Sequence, residues 1–182
     1  MDAIMAIAEK HNLYVIEDNA QGIGATYTDA NGNTTKTGGI GHVGSTSFFP
    51  SKNLGCYGDG GAIITNDDDL AHNLRGIVNH GMYERYHHDV VGVNSRLDSL
   101  QAVVLNEKLK LLDYYNERRK WAAIRYSQLL SGYNNIITPN VIRNCDSHVF
   151  HQYTLRLIGS DRDALVQHLQ SQGIPCGVYY PI

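Results

Sequence analysis

The stretch Leu13-Tyr14-Val15-Ile16-Glu17-Asp18 decides the fold. Four apolar residues follow one another with no polar alternation and stop at two carboxylates. A strand with one wet face would alternate, so this run predicts a strand covered on both sides, as in a parallel sheet. Ligands gather at the carboxyl ends of such strands, and Asp18 stands at that end. Just upstream, Ile4, Ile7 and Ala8 recur at helical spacing, so a helix feeds the strand and the chain opens as an α/β unit.

Working outward, residues 28–39 are polar, rich in Gly and Asn and without apolar periodicity, which predicts a lengthened hairpin at the surface. The β-rich run Ser45-Thr46-Ser47-Phe48-Phe49 and the run Gly61-Ala62-Ile63-Ile64-Thr65 flank the loop Pro50-Ser51-Lys52-Asn53-Leu54-Gly55, so Lys52 lies between two strands. Asp67 or Asp68 can cap a helix with Leu70, Leu74 and Ile77 on one face. Ser95-x-x-Asp98 reads as a capping box opening a longer helix, with Leu97, Leu100, Val104 and Leu111 on its stripe. Helical pattern continues from about Asp113 to Leu130 and breaks at Ser131-Gly132 and Thr138-Pro139, where we place a hinge. The tail reads β-α-β: a strand over Tyr153–Ile158, a helix from Asp161 to Gln172 ended by Gly173, and a strand over Gly177–Tyr180.

Fifteen Lys and Arg against 18 Asp and Glu leave a net charge of −3, with no basic field to attract nucleic acid or an anionic membrane. No run approaches the roughly 18 apolar residues of a membrane span. The 3 cysteines, Cys56, Cys145 and Cys176, are far apart and show no C-x-x-C spacing, so a disulfide framework and a zinc site are both disfavoured and a reducing, cytoplasmic setting is expected.

Several residues could carry chemistry. Lys52 follows two aromatics and a proline, surroundings that can desolvate an amine and make it a nucleophile toward an aldehyde, although a lone lysine in a loop is more often a solvated surface charge. Asp18 could face a heterocycle nitrogen or serve as an ordinary turn aspartate; Gln21 and Ser47 could touch a cofactor or simply be polar surface residues. His87-His88 and the i, i+3 pair His148 and His151 have spacings compatible with shared metal ligation, but no carboxylate or cysteine joins them at ligand spacing. Gly58-Asp59-Gly60-Gly61 lacks Walker spacing and opens a strand, so a turn into a hairpin explains it better than a phosphate loop.

Taken together, Val15–Gln21, Ser47–Gly55 and Gly58–Ala62 closely resemble the DegT/DnrJ/EryC1/StrS aminotransferase family, and the resemblance extends through Arg75–Gly81, Gly92–Ala102 and Gly177–Pro181. It implies the fold of PLP-dependent transferases of the aspartate aminotransferase type. Residues 1–113 would be the C-terminal part of the large, mostly parallel-sheet domain, and residues 114–182 a connecting helix with an incomplete small α+β domain. It also implies that the chain is a piece of a longer enzyme, with apolar faces left uncovered in isolation.

By the same resemblance, Lys52 matches the lysine that holds pyridoxal 5′-phosphate (PLP), Asp18 the partner of the ring nitrogen, Gln21 a ring contact and Ser47 a phosphate donor. Asn94 matches a residue reaching the phosphate bound in the neighbouring subunit, which implies a homodimer. Arg96 and Tyr180 fall where relatives touch the sugar nucleotide, while Tyr179 replaces a histidine seen in some of them. The histidines fall near the active-site rim. The implied reaction moves an amino group from an amino acid, glutamate by resemblance, to a nucleotide-linked keto sugar in polysaccharide or glycan precursor synthesis. Two other readings stand beside it: a keto-sugar dehydratase, which family members with histidine in place of the lysine exemplify, and an inactive dimerising or binding remnant.

Overall fold

The computed structural model describes residues 1–141 and 147–181. Helix α1 (Asp2–His11) ends on Asn12, whose left-handed backbone (φ 51°) turns the chain so that its N–H returns to the last helical carbonyls. The chain then enters β1 (Ile16–Asp18), which pairs in parallel with β4 (Val43–Ser47); β5 (Gly61–Ile64) pairs antiparallel on the other side of β4. The sheet order is β1-β4-β5, so the expected parallel pairing is present at β1 while the sheet as a whole is mixed. Between β1 and β4, the hairpin of β2 (Thr26–Thr28) and β3 (Thr34–Lys36) occupies the place expected for it.

The apolar run that predicted a doubly covered strand is not covered. Ile16 is 71% exposed and Tyr14 76%, because no described element packs over that edge of the sheet. What fixes β1 is polar. The Glu17 carboxylate accepts the backbone N–H groups of Gly38 (2.9 Å), Ile40 (2.6 Å) and Gly41 (2.6 Å), closing the β3–β4 connection onto the strand.

Helix α2 (Asp68–Val78) is capped by Asp67, whose side chain accepts the Leu70 N–H at 2.9 Å. A short hairpin, β6 (Met82–Glu84) with β7 (His87–His88), follows. Helix α3 (Ser99–Leu109) starts from Asp98, and that N-cap makes no side-chain hydrogen bond, so the capping box expected from Ser95 and Asp98 does not form. Its buried position is Leu105, while Leu100, expected on the stripe, is exposed. Helix α4 (Leu112–Leu130) matches the expected span.

Leu54, Cys56, Leu105 and Leu112 form the buried core, with Ile23, Phe48 and Leu97 packed on it. The loop holding Lys52 therefore sits directly on the core instead of projecting from it. In the tail, β8 (Ile136–Ile137) pairs with β9 (Arg156–Leu157), and α5 (Arg162–Ser171) is capped by Asp161. The strand expected over Tyr153–Ile158 shrinks to the residues that find a partner. The one expected over Gly177–Tyr180 does not form, because β propensity gives no ladder without a neighbouring strand. Among the described residues, no helix is long and apolar enough to cross a membrane.

Candidate functional site

Gln21, Ser47, Lys52 and Tyr180 line one cleft of about 590 Å³, together with Asp59 and His151. Ser47 is the last residue of β4, and the chain turns at once: the Lys52 N–H donates to the Phe49 carbonyl at 2.8 Å, and the Cys56 N–H returns to Phe48 at 2.8 Å. Helix α3 clamps the loop from outside. Lys108 Nζ donates to the Gly55 carbonyl at 2.6 Å, and Gln101 Oε1 accepts the Tyr57 N–H at 2.8 Å. A rigid loop between two ordered elements thus presents a half-buried lysine whose Nζ has no hydrogen-bond or ion-pair partner among the described residues.

Asp18 ends β1 opposite Ser45, one strand away from Ser47, and its carboxylate accepts the Ala20 N–H at 3.0 Å. It does not line the cleft but stands at the same carboxyl-end edge of the sheet. Gln21 follows on a turn that buried Asn19 stabilises: Asn19 Nδ2 donates to the Thr37 carbonyl (3.1 Å) and Thr37 Oγ1 donates to Asn19 Oδ1 (2.8 Å).

Asn94 and Arg96 do not join this cleft. They line a second recess of about 740 Å³ shared with Arg75 of α2 and Ser45 of β4, and Arg96 Nε donates to Asn94 Oδ1 at 3.2 Å. Asp59 and Gly60 border both spaces, so the two recesses meet at the turn into β5.

Sequence pattern gave no reason to nominate Asp59, and the family resemblance placed His151 only near the active-site rim. His151 is held from behind: its Nδ1 lies 3.2 Å from Asn53 Oδ1, and Arg119 reaches its backbone carbonyl at 3.2 Å. Burial lowers the His151 pKa below its usual 6.5, and the positive charges of Lys52 and Arg119 push it further down. The signal in the sequence was the pair His148 and His151, whose spacing was compatible with metal ligation, a reading disfavoured because no carboxylate or cysteine joins them at ligand spacing. No group of 3 or more His, Cys, Asp or Glu side chains that could hold a metal occurs among the described residues.

The model of the DegT/DnrJ/EryC1/StrS aminotransferase family matches residues 1–182. A "pleiotropic regulatory protein" of Geobacillus stearothermophilus is 48% identical over all of this chain and 47% of its own length. The UDP-N-acetyl-3-dehydro-alpha-D-glucosamine 3-aminotransferase of Acidithiobacillus ferrooxidans is 47% identical, again over all of this chain and 47% of its own. The solved structure of NtdA from Bacillus subtilis, with its bound cofactor PMP, superposes with a TM-score of 0.82 at 31% identity, over 98% of this chain and 40% of that one. The chain thus spans about half the length of the curated relatives it matches. With an α/β sheet, a loop-borne lysine at the carboxyl end of its strands and a family match along all 182 residues, this chain belongs to the DegT/DnrJ/EryC1/StrS aminotransferase family.

Proposed function

We propose that the complete protein moves an amino group from an amino acid, glutamate in our reading, to a nucleotide-linked keto sugar, using PLP held at Lys52. The observation that carries this reading is the convergence of Lys52, Ser47, Gln21 and Tyr180 on one cleft. The donor set fits the cofactor: an amine without a competing partner for an aldehyde, a hydroxyl for a phosphate, an amide for the ring, and a carboxylate at the end of the adjacent strand for the ring nitrogen. When bound, PLP supplies an electron sink that lets nitrogen pass between an amine and a carbonyl.

The residues of this chain supply position and charge. Lys52 would hold the cofactor through its amine, and the same amine, when free, would take and return a proton at the amino donor's α-carbon. Asp18, by its negative charge, would favour a protonated ring nitrogen, and the Ser47 hydroxyl would be available to the phosphate. Tyr180 and Arg96 orient the sugar nucleotide. Asn94 lies outside the Lys52 cleft, which suits a role toward the phosphate bound by a partner subunit and hence a homodimer. The setting is cytoplasmic, the products feed polysaccharide or glycan synthesis, and the chain divides at about residue 113 into a large-domain part and a small-domain part.

The test adds PLP to the protein, records the visible spectrum before and after borohydride, and maps the reduced adduct. A band fixed onto Lys52 and absent in Lys52→Ala supports the reading; an adduct confined to other lysines overturns it.

A further inference from the structure

The residue next to Lys52 spends both amide protons and its oxygen inside the protein. Asn53 is 8% exposed; its Nδ2 donates to Asn116 Oδ1 of α4 at 2.8 Å and to the Val149 carbonyl at 3.1 Å, and its Oδ1 lies 3.2 Å from His151 Nδ1. Asn116, equally buried, is fixed from behind, since its Nδ2 donates to the Ile23 carbonyl at 3.2 Å. The Lys52 backbone makes a turn contact, its N–H to the Phe49 carbonyl at 2.8 Å, so the polar anchor in the interior nearest the lysine is the Asn53 side chain.

What Asn53 grips on its far side is the segment Val149–His151. Val149 and Phe150 are buried, and Phe150 has a φ of 43°, a backbone that a residue with a side chain keeps only where its surroundings fix it. Here they do. His148 Nδ1 accepts the Phe150 N–H at 2.9 Å, Arg119 Nη1 donates to the carbonyls of Phe150 (3.4 Å) and His151 (3.2 Å), and Asn53 takes the Val149 carbonyl. Asn116 and Arg119 stand one turn apart on α4, so the helix holds this segment directly through Arg119 and the lysine loop through Asn116. His151 and Gln152 line the same cleft as Lys52. One buried amide thus joins two stretches of the cleft lining that are 98 positions apart in sequence.

We propose that Asn53 is a positioning residue for Lys52: held by Asn116 and the Val149 carbonyl, it sets the lysine loop against the segment that carries His151 and Gln152, and so fixes where the amine stands in the cleft. This rests on the reading of Lys52 as the residue that holds PLP. Asn53 acts through the backbone it shares with Lys52 and through the segment it grips. The chemistry of the position is specific. Leucine has a similar size but no donor, and aspartate at 53 would turn acceptors toward Asn116 Oδ1 and the Val149 carbonyl, which are acceptors themselves. Position 116 is different, because toward Asn53 it needs only an acceptor, and aspartate keeps one there.

The test compares Asn53→Leu, Asn116→Leu and Asn116→Asp with the wild-type chain, each checked for a folded state by circular dichroism. Reductive methylation by formaldehyde and cyanoborohydride, read peptide by peptide, gives the accessibility of the Lys52 amine against that of Lys110, whose side chain is 62% exposed. Borohydride trapping after addition of PLP gives the rate at which the larger aldehyde is captured at Lys52. A lysine loose from its place meets formaldehyde more readily but no longer meets PLP beside Ser47 and Gln21. Both leucine variants should methylate Lys52 about fivefold faster relative to Lys110. They should trap PLP there at least about tenfold more slowly. Asn116→Asp should stay within about twofold of the wild type on both rates. A residue that only stabilised the fold would give another order, because a buried carboxylate at 116 costs more than leucine and Asn116→Asp would be the most disturbed. Wild-type methylation ratios in the leucine variants, or Asn116→Asp behaving like Asn116→Leu, overturn the proposal. If Asn53→Leu does not fold, the two Asn116 variants decide by the same rule. If the wild type traps PLP only at other lysines, the cofactor reading fails and the methylation ratios decide the role of Asn53 alone.

Discussion

The side chains of Asn53 and Asn116, 63 residues apart in sequence, meet at 2.8 Å in the interior, where both residues are under 10% exposed. Asn53 is the residue next to Lys52 and Asn116 belongs to α4, so one amide contact ties the candidate catalytic loop to the long helix. Truncating either partner strands buried polar groups, at a cost of about 1–3 kcal/mol. We expect Asn53→Ala and Asn116→Ala each to lower the urea midpoint accordingly. The double variant should lose less than the sum, with a coupling of roughly 1 kcal/mol in a double-mutant cycle.

Glu17 carries the turn before β4. Its carboxylate accepts three backbone N–H groups, from Gly38, Ile40 and Gly41, that no other acceptor takes up. Glu17→Ala should destabilise the protein by about 2–3 kcal/mol. Glu17→Gln retains one oxygen and should cost less. Equal denaturation midpoints for Glu17→Ala and the wild type would contradict this role.

Gly44 lies mid-strand in β4, and a Cβ there would run into the backbone carbonyl of Gly38. Backbone cannot step aside as a side-chain end can, so Gly44→Ala should cost about 3 kcal/mol or prevent soluble folding. Gly132→Ala, with nothing within 4 Å of its new methyl, serves as the control and should stay within about 0.5 kcal/mol of the wild type. Thermal unfolding of the pair measures the difference.

Folding should be less favourable in mild acid. His148 and His151 both have pKa values below the 6.5 expected of the unfolded chain, His148 through burial and His151 through burial and then the charges of Lys52 and Arg119. The unfolded state then binds more protons between each folded-state pKa and 6.5, so the stabilisation is fully present above 6.5 and is lost as pH falls through that window. Urea midpoints recorded from about pH 7 downward should decline, and the slope should flatten in the double variant His148→Gln, His151→Gln. An unchanged slope would show that other groups set the acid limb.

Elements defined by neighbours along the chain are legible in the sequence. The cap at Asp67, one of the two aspartates offered for it, and the span of α4 depend on hydrogen bonds and side-chain spacing within a few residues and are found where the pattern put them. The hairpin expected over residues 28–39 forms slightly earlier, over 26–36, and the helix expected from Asp161 begins one residue later with Asp161 as its cap. The position of Lys52 in a loop between strands is equally local. Features that need a distant partner behave differently. Gly177–Tyr180 has strand composition without a strand, and Leu13–Ile16 has a buried composition without a cover, because neither the ladder nor the covering face is encoded in the segment itself.

Ordered blocks of residues carry the family resemblance without any coordinates, and they single out Lys52 as the candidate lysine. Only the tertiary structure decided which residues share a cleft with that lysine. Folding brings Gln21, Ser47, Tyr180 and His151 around Lys52 and leaves Asn94 and Arg96 in a separate recess. It also sets His151 against Asn53, an amide 98 positions away whose Nδ2 protons go to Asn116 and the Val149 carbonyl, a contact that no local pattern encodes.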